Sequence, residues 1–182
     1  MAPSLTRREA LGGAAAAVVL ASCGGGDAPP PGSAEPGSGA GLITSLLALQ
    51  RATVAAYGAC EEVLRSDARA QVRDIRDDEY RMARELEIIM TGERIEIPPG
   101  RSPEEYARTF PRLRGPEDAL RFADHLEQRQ VRAYLDAITD FPFERQRQTA
   151  AGFAWRQGVH LGMVRMLRGL PVAEGPFVTG AL

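Results

Sequence analysis

Four apolar stripes in this chain are each interrupted by polar residues that could bind a metal or carry a proton. The second stripe has apolar residues at steps of three and four positions: Val72, Ile75, Met82, Leu86 and Ile89. Such steps place these residues, and Glu79 among them, on one face of a helix. Burial of a lone carboxylate costs several kcal/mol. Glu79 is therefore expected to meet polar partners.

Three further stripes have the same form. The first contains Leu46, Gln50, Thr53, Tyr57, Cys60 and Leu64; the third contains Leu120, Ala123, Glu127, Val131, Tyr134 and Ile138; the fourth contains Phe153, Gln157, His160, Val164 and Leu167. Gln50, Glu127, Gln157 and His160 thus face inward on three other helices. Polar residues that enter one core from four helices predict a shared polar layer.

The elements that position this layer are helical throughout, so the predicted fold class is all-α. Long helices are predicted over 42–64, 68–90, 116–141 and 144–168, in a domain of residues 42–170. A long connection, 93–115, joins the second and third, and Ser102 begins a short capped helix there that ends near Thr109. One long crossover between helices two and three is a known four-helix bundle topology.

An internal repeat relates the two halves of this domain. Residues 49–57 read LQRATVAAY and residues 126–134 read LEQRQVRAY, so Leu, a Glu or Gln, Val, Ala and Tyr recur at equal offsets. Glu79 and Met82 correspond in the same way to Gln157 and His160. The two halves therefore look like two copies of one helical hairpin.

These positions resemble the ferritin-like superfamily, particularly its exported bacterial members. In di-metal members, helices one and three each supply a Glu, and helices two and four each supply Glu-x-x-His. The corresponding places in this chain are Gln50, Glu79, Met82, Glu127, Gln157 and His160. Only Glu79, Glu127 and His160 match the pattern.

Two interpretations follow from this partial match. The resemblance implies that Gln50 and Met82 remove one metal site, whereas Glu79, Glu127 and His160 could hold a single Fe, Mn or Zn ion. The favoured alternative is a degenerate ferritin-like domain whose polar layer is a hydrogen-bond network, with no catalytic residue and a structural or binding role. The cofactor is thus open between none and one ion.

The first residues predict export rather than structure. Arg7 and Arg8 precede an uncharged stretch, 10–22, which is too short to span a bilayer and has the form of a signal peptide. The segment resembles a twin-arginine signal, and Leu20-Ala21-Ser22-Cys23 resembles a bacterial lipobox, which implies cleavage after residue 22 and a lipid on Cys23. An ordinary secretory signal with a chance cysteine is the alternative.

Residues 23–41 are rich in Gly, Pro, Ser and Ala and predict a tether from membrane to domain. We therefore expect a lipid-anchored protein whose domain lies on the extracytoplasmic side of the cell envelope. The net charge of −2 argues against a nucleic-acid partner, while a protein partner and the oligomeric state stay open. Residues 171–182 are expected to form a tail, and Trp155, one residue off the fourth stripe, to pack at the domain edge.

Overall fold

The computed structural model describes residues 39–172 of the chain, and these residues are all-helical. The predicted all-α class is therefore confirmed for this part. The predicted signal peptide, the lipidation site Cys23, most of the tether and most of the C-terminal tail lie outside the described residues.

Four long helices and one short helix follow one another along the chain. They are α1 (Gly39–Val63), α2 (Ser66–Gly92), α3 (Pro103–Ala107), α4 (Pro116–Asp140) and α5 (Glu144–Leu167). Each agrees with a predicted helix to within a few residues. α1 begins at Gly39, inside the segment assigned to the tether, and the Thr44 hydroxyl donates to the Ala40 carbonyl in its first turns.

Local signals explain several helix ends. Ser102 forms a capping box with Glu105, as predicted: the backbone N–H of Glu105 donates to the serine oxygen, and the backbone N–H of Ser102 donates to the glutamate. Pro116 stands in the first turn of α4, where its missing N–H costs little. Gly169 follows α5 with a φ of 68°, which glycine adopts without strain.

The long helices pack mainly as two sequential pairs. α1 lies against α2, and α4 lies against α5, with only two or three residues between the helices of each pair. α1 also contacts α4, and α2 contacts α5, so the two pairs close around a common interior. Residues 93–115 join the pairs, and α3 within this connection packs on α1.

The interior contains two apolar clusters. One includes Ile43, Leu86 and Phe153, and the other includes Leu64, Ile75 and Val164. Along each long helix, the predicted polar residues stand between members of the two clusters. The polar layer thus crosses the middle of the core.

α1 is long and apolar enough to cross a membrane by length and composition alone. Core helices pass the same test, and α1 has buried residues along its whole length, from Ile43 to Glu61. The apolar composition of α1 is thus also that of a helix packed within a domain.

Candidate functional site: a buried polar layer

All six positions singled out from the sequence lie in one buried layer. Gln50, Glu79, Met82, Glu127 and Gln157 are fully buried, and His160 is 6% exposed. One ligand atom each from Glu79, Glu127 and His160 lie within 4.8 Å of one another. The layer predicted from the stripe spacing is confirmed.

Glu79 is the centre of this layer, because three side-chain amide N–H groups and a ring nitrogen of His160 converge on its carboxylate. The Nε2 groups of Gln50, Gln130 and Gln157 donate to Oε2, the latter two at 3.0 and 3.2 Å. Nδ1 of His160 lies 2.8 Å from Oε1. Both oxygens of the carboxylate are thus hydrogen-bonded, which lowers the cost of burying its charge.

His160 lies between two carboxylates. Its Nδ1 faces Glu79, and its Nε2 lies 3.1 Å from Oδ2 of Asp78. Arg156 in turn donates from Nη2 to Oδ1 of Asp78 at 2.7 Å. Partial burial alone would raise the pKa of Asp78, but hydrogen bonds and charge from Arg156 outweigh it, so the pKa lies below its usual value.

This position determines what His160 can do. An ionised Asp78 holds a proton on Nε2, which leaves Nδ1 to face the layer. With a second proton on Nδ1, His160 is an imidazolium that donates to both carboxylates. Without it, Nδ1 presents a lone pair, and a carboxylate behind the other ring nitrogen is the usual support for a metal-binding histidine.

Glu127 differs from Glu79 in its environment. The Tyr57 hydroxyl donates to Oε1, but Oε2 has no hydrogen-bond partner among the described residues and lies 4.0 Å from Nδ1 of His160. Burial, followed by the negative charge of Glu79, raises the pKa of Glu127 well above its usual value, although the bond from Tyr57 opposes the shift. The environment therefore favours a protonated Glu127.

The two tyrosines of the internal repeat cross between the halves. Tyr57 of α1 donates to Glu127 of α4, while Tyr134 of α4 donates to Oε1 of Gln50 on α1 at 2.7 Å. Burial, followed by nearby carboxylate charge, raises the pKa of each tyrosine well above its usual value. Each phenol therefore keeps the proton that it donates.

Met82 supplies the least polar part of the layer. Its sulfur lies 3.7 Å from Nε2 of Gln157, which also donates to Glu79. A thioether is a soft, weak acceptor and carries no proton. The part of the layer near Met82 therefore offers neither a strong ligand for a hard cation nor an acid–base group.

Two residues of the layer were not predicted. Gln130 is fully buried, whereas Val131, the predicted core residue, is half-buried. The steps from Ala123 to Leu126, Gln130 and Tyr134 also fit a helix face, and this second row was the available signal. Asp78 was missed because it lies off the core row, and only the packing of α5 brings His160 to it.

The layer also holds oxygen atoms that would suit a cation. Oε2 of Glu127, Oε1 of Gln130 and Oε1 of Gln157 are buried and lack hydrogen-bond partners among the described residues. One imidazole nitrogen with carboxylate and amide oxygens is a ligand set that Fe(II), Mn(II) or Zn(II) accepts. The donor set therefore fits one ion, although Glu79 already receives three amide donors.

A groove of about 900 Å³ lies elsewhere, between α1, α2 and α3. Small side chains such as Ala55 and Gly58 form part of its lining, together with Arg51, Tyr80 and Tyr106. None of the six predicted positions lines it. The groove and the polar layer are therefore separate features.

Comparison with known proteins gives a likeness of fold. The structure is similar to the crystal structure of a conserved hypothetical protein, rv2844, from Mycobacterium tuberculosis, with a TM-score of 0.64 and 14% sequence identity over 74% of this chain and 99% of that chain. No family model matches the sequence. No curated protein matches it either.

Proposed function

We propose that this chain is an exported, lipid-anchored protein whose domain is a ferritin-like four-helix bundle with one long crossover. The domain acts as a structural or binding module of the cell envelope rather than as a catalyst. The four long helices, the 93–115 connection and the repeat positions support the bundle assignment. The signal-like residues 1–22 and Cys23 support the anchor.

The observation that carries the structural role is the set of three amide donors and one ring nitrogen on Glu79. Gln130 and Gln157 offer their amide N–H groups, not their oxygens, to the carboxylate, and Gln50 does the same. These bonds occupy the lone pairs of Oε2, while Oε1 faces Nδ1 of His160. Side chains of α1, α4 and α5 thus all contact the Glu79 carboxylate of α2, and these contacts fix how the four helices align.

Charge balance supports the same role. His160 contacts both Glu79 and Asp78, Arg156 pairs with Asp78, and burial raises the pKa of Glu127. Each buried carboxylate of the layer then has a cationic partner, hydrogen-bond donors or an environment that favours its protonated form. A network of this kind specifies helix register and needs no chemistry.

A second candidate function is a protein with one Fe, Mn or Zn ion held by Glu79, Glu127 and His160. The three unpartnered oxygens and the Asp78 support behind His160 favour it. A bound ion of this type would supply Lewis-acid or redox chemistry. In that case Asp78 orients the imidazole, and Gln157 turns its amide oxygen inward.

Metal content of the purified protein tests both candidates. The protein is loaded with Fe(II), Mn(II) or Zn(II), dialysed and measured by elemental mass spectrometry. The variants are His160→Ala and Glu127→Ala. His125→Ala is a matched control, because His125 is the other histidine of the chain and is exposed.

The structural role predicts no stoichiometric metal in the wild type or in any variant. A stoichiometry near one ion per chain that is lost in His160→Ala and Glu127→Ala, but kept in His125→Ala, contradicts the structural role and supports the second candidate. Unfolding curves of the same variants show whether a loss of metal reflects loss of the fold.

A further inference from the structure

α5 has a second apolar face that points away from the core. Gly152, Trp155, Val159, Gly162 and Met166 follow one another at steps of three and four, so they form one row, called here the outer stripe. Trp155 is 72% exposed, Met166 59% and Val159 43%. Trp155, which the sequence placed at the domain edge, is thus largely uncovered by the described residues.

The outer stripe differs from the other exposed apolar residues of the domain. Tyr80 and Ile88 on α2 are separated by two turns that carry Arg81, Arg84 and Glu85. The outer stripe has no charged member over four turns. Single exposed apolar residues are ordinary, but a continuous apolar row usually has a partner.

The chain that follows α5 turns back onto this stripe. Gly169, in its left-handed conformation, ends the helix, and the Leu170 N–H donates to the Arg165 carbonyl at 2.9 Å. Val172 then lies over Gly162, with a methyl carbon 3.0 Å from where a β-carbon would stand. Glycine at 162 thus lets the returning chain lie directly on the helix.

Residues 170–172 run back along α5 toward its N-terminal end, so the residues after Val172 can reach the earlier turns of the helix. From Gly162 to Trp155 is seven residues of helix, or about 10 Å. Five further residues after Val172 span at most about 18 Å when extended. Residues 173–182 lie outside the described part, and their sequence includes Phe177, Val178 and Leu182.

We propose that residues 173–182 are the partner of the outer stripe, with Phe177 packed on Trp155. The segment contains one charged residue, Glu174, and the chain from Val172 is long enough for Phe177 to reach Trp155. An intramolecular partner has a high effective concentration, so modest contact suffices. The tail then covers a face that would otherwise be free to bind another protein.

Trp155 is the only tryptophan of the chain, so its emission reports on this one contact. Emission maximum and acrylamide quenching are measured on full-length protein and on a Phe177→Ser, Val178→Ser variant. Thr179→Ser with Ala181→Ser is the matched control in the same segment. The proposal predicts a red shift and stronger quenching in the first variant and no change in the control.

A second variant, Val159→Arg, tests the other side of the contact without altering the tail. It is expected to expose Trp155, and the Phe177→Ser, Val178→Ser change is then expected to add nothing further. Additive effects contradict the proposal, because they mean that the two sites act independently.

Other partners give different results. Emission of a fully exposed indole in every protein overturns the proposal, since nothing covers the stripe. A blue shift that grows with protein concentration assigns the stripe to a second copy, and a blue shift on addition of anionic lipid vesicles assigns it to a membrane. Either result, with no effect of the tail substitutions, also overturns the proposal.

Discussion

The two halves of the repeat have the same geometry and different chemistry. Tyr57 and Tyr134 each reach across to the other half, where one meets the acid Glu127 and the other meets the amide Gln50. The second helices of the two halves also differ, because Met82 of α2 stands where α5 has His160. The crossing hydrogen bond is therefore present in both halves, although only one half has a titratable acceptor. This pattern suits a layer that aligns helices.

The largest expected effect comes from removing the group that both halves contact. Glu79→Ala leaves three buried amides and His160 without their acceptor, and we expect a loss of about 3–5 kcal/mol in the free energy of unfolding. Chemical denaturation measures this loss. Glu85→Ala, on the same helix with an exposed carboxylate, is the control, and a similar small change in both variants would contradict the central role of Glu79.

The two tyrosines provide a direct test of the comparison. Tyr57→Phe and Tyr134→Phe each leave a buried acceptor without its donor, and we expect each to cost about 1–3 kcal/mol. Only Tyr57→Phe should also change how stability depends on pH, because its hydroxyl opposes the raised pKa of Glu127. Equal pH profiles for the two variants would refute the chemical difference between the halves; Tyr80→Phe, at an exposed site, is the control.

Glu127→Gln is expected to change only how the free energy of unfolding depends on pH. Because the pKa of Glu127 is raised in the folded state, the unfolded chain loses this proton first, above about pH 4.3. The contribution of Glu127 to stability is thus present at low pH and falls as pH rises toward the folded pKa. Denaturation at several pH values across that range should show that the free energy of unfolding depends less on pH in Glu127→Gln than in wild type. Glu117→Gln, at an exposed residue of the same helix, should keep the wild-type pH dependence.

The smallest loss of stability is expected at Cys60, which differs from its counterpart in the other half only by a thiol. Cys60 and Ala137 occupy equal offsets in the repeat, and both are fully buried. The thiol makes only a weak contact, 3.5 Å from the Ala119 carbonyl, and burial raises its pKa to about 12. Cys60→Ala should therefore cost about 1 kcal/mol or less in thermal or chemical unfolding, and a larger loss would show that the sulfur has a role of its own.

The helices and the six layer positions were predictable because their signals are periodic and local. The exceptions had other causes. On α4 two rows, one through Val131 and one through Gln130, fit the same helical spacing, since an apolar face covers more than one row. The contact between Asp78 and His160 depends on the rotation of α5 against α2, which the sequence does not specify. The capping box at Ser102, by contrast, depends only on residues three positions apart and was predicted correctly.

The crossed tyrosines also bear on how the chain folds. Each helical pair closes through a very short loop, yet its tyrosine donates only to the other pair. A pair formed alone would bury a hydroxyl without an acceptor or leave it in water, so we expect neither pair to persist as an intermediate. The same bonds could form between the pairs of two chains, so exchange of whole hairpins is the expected error at high protein concentration.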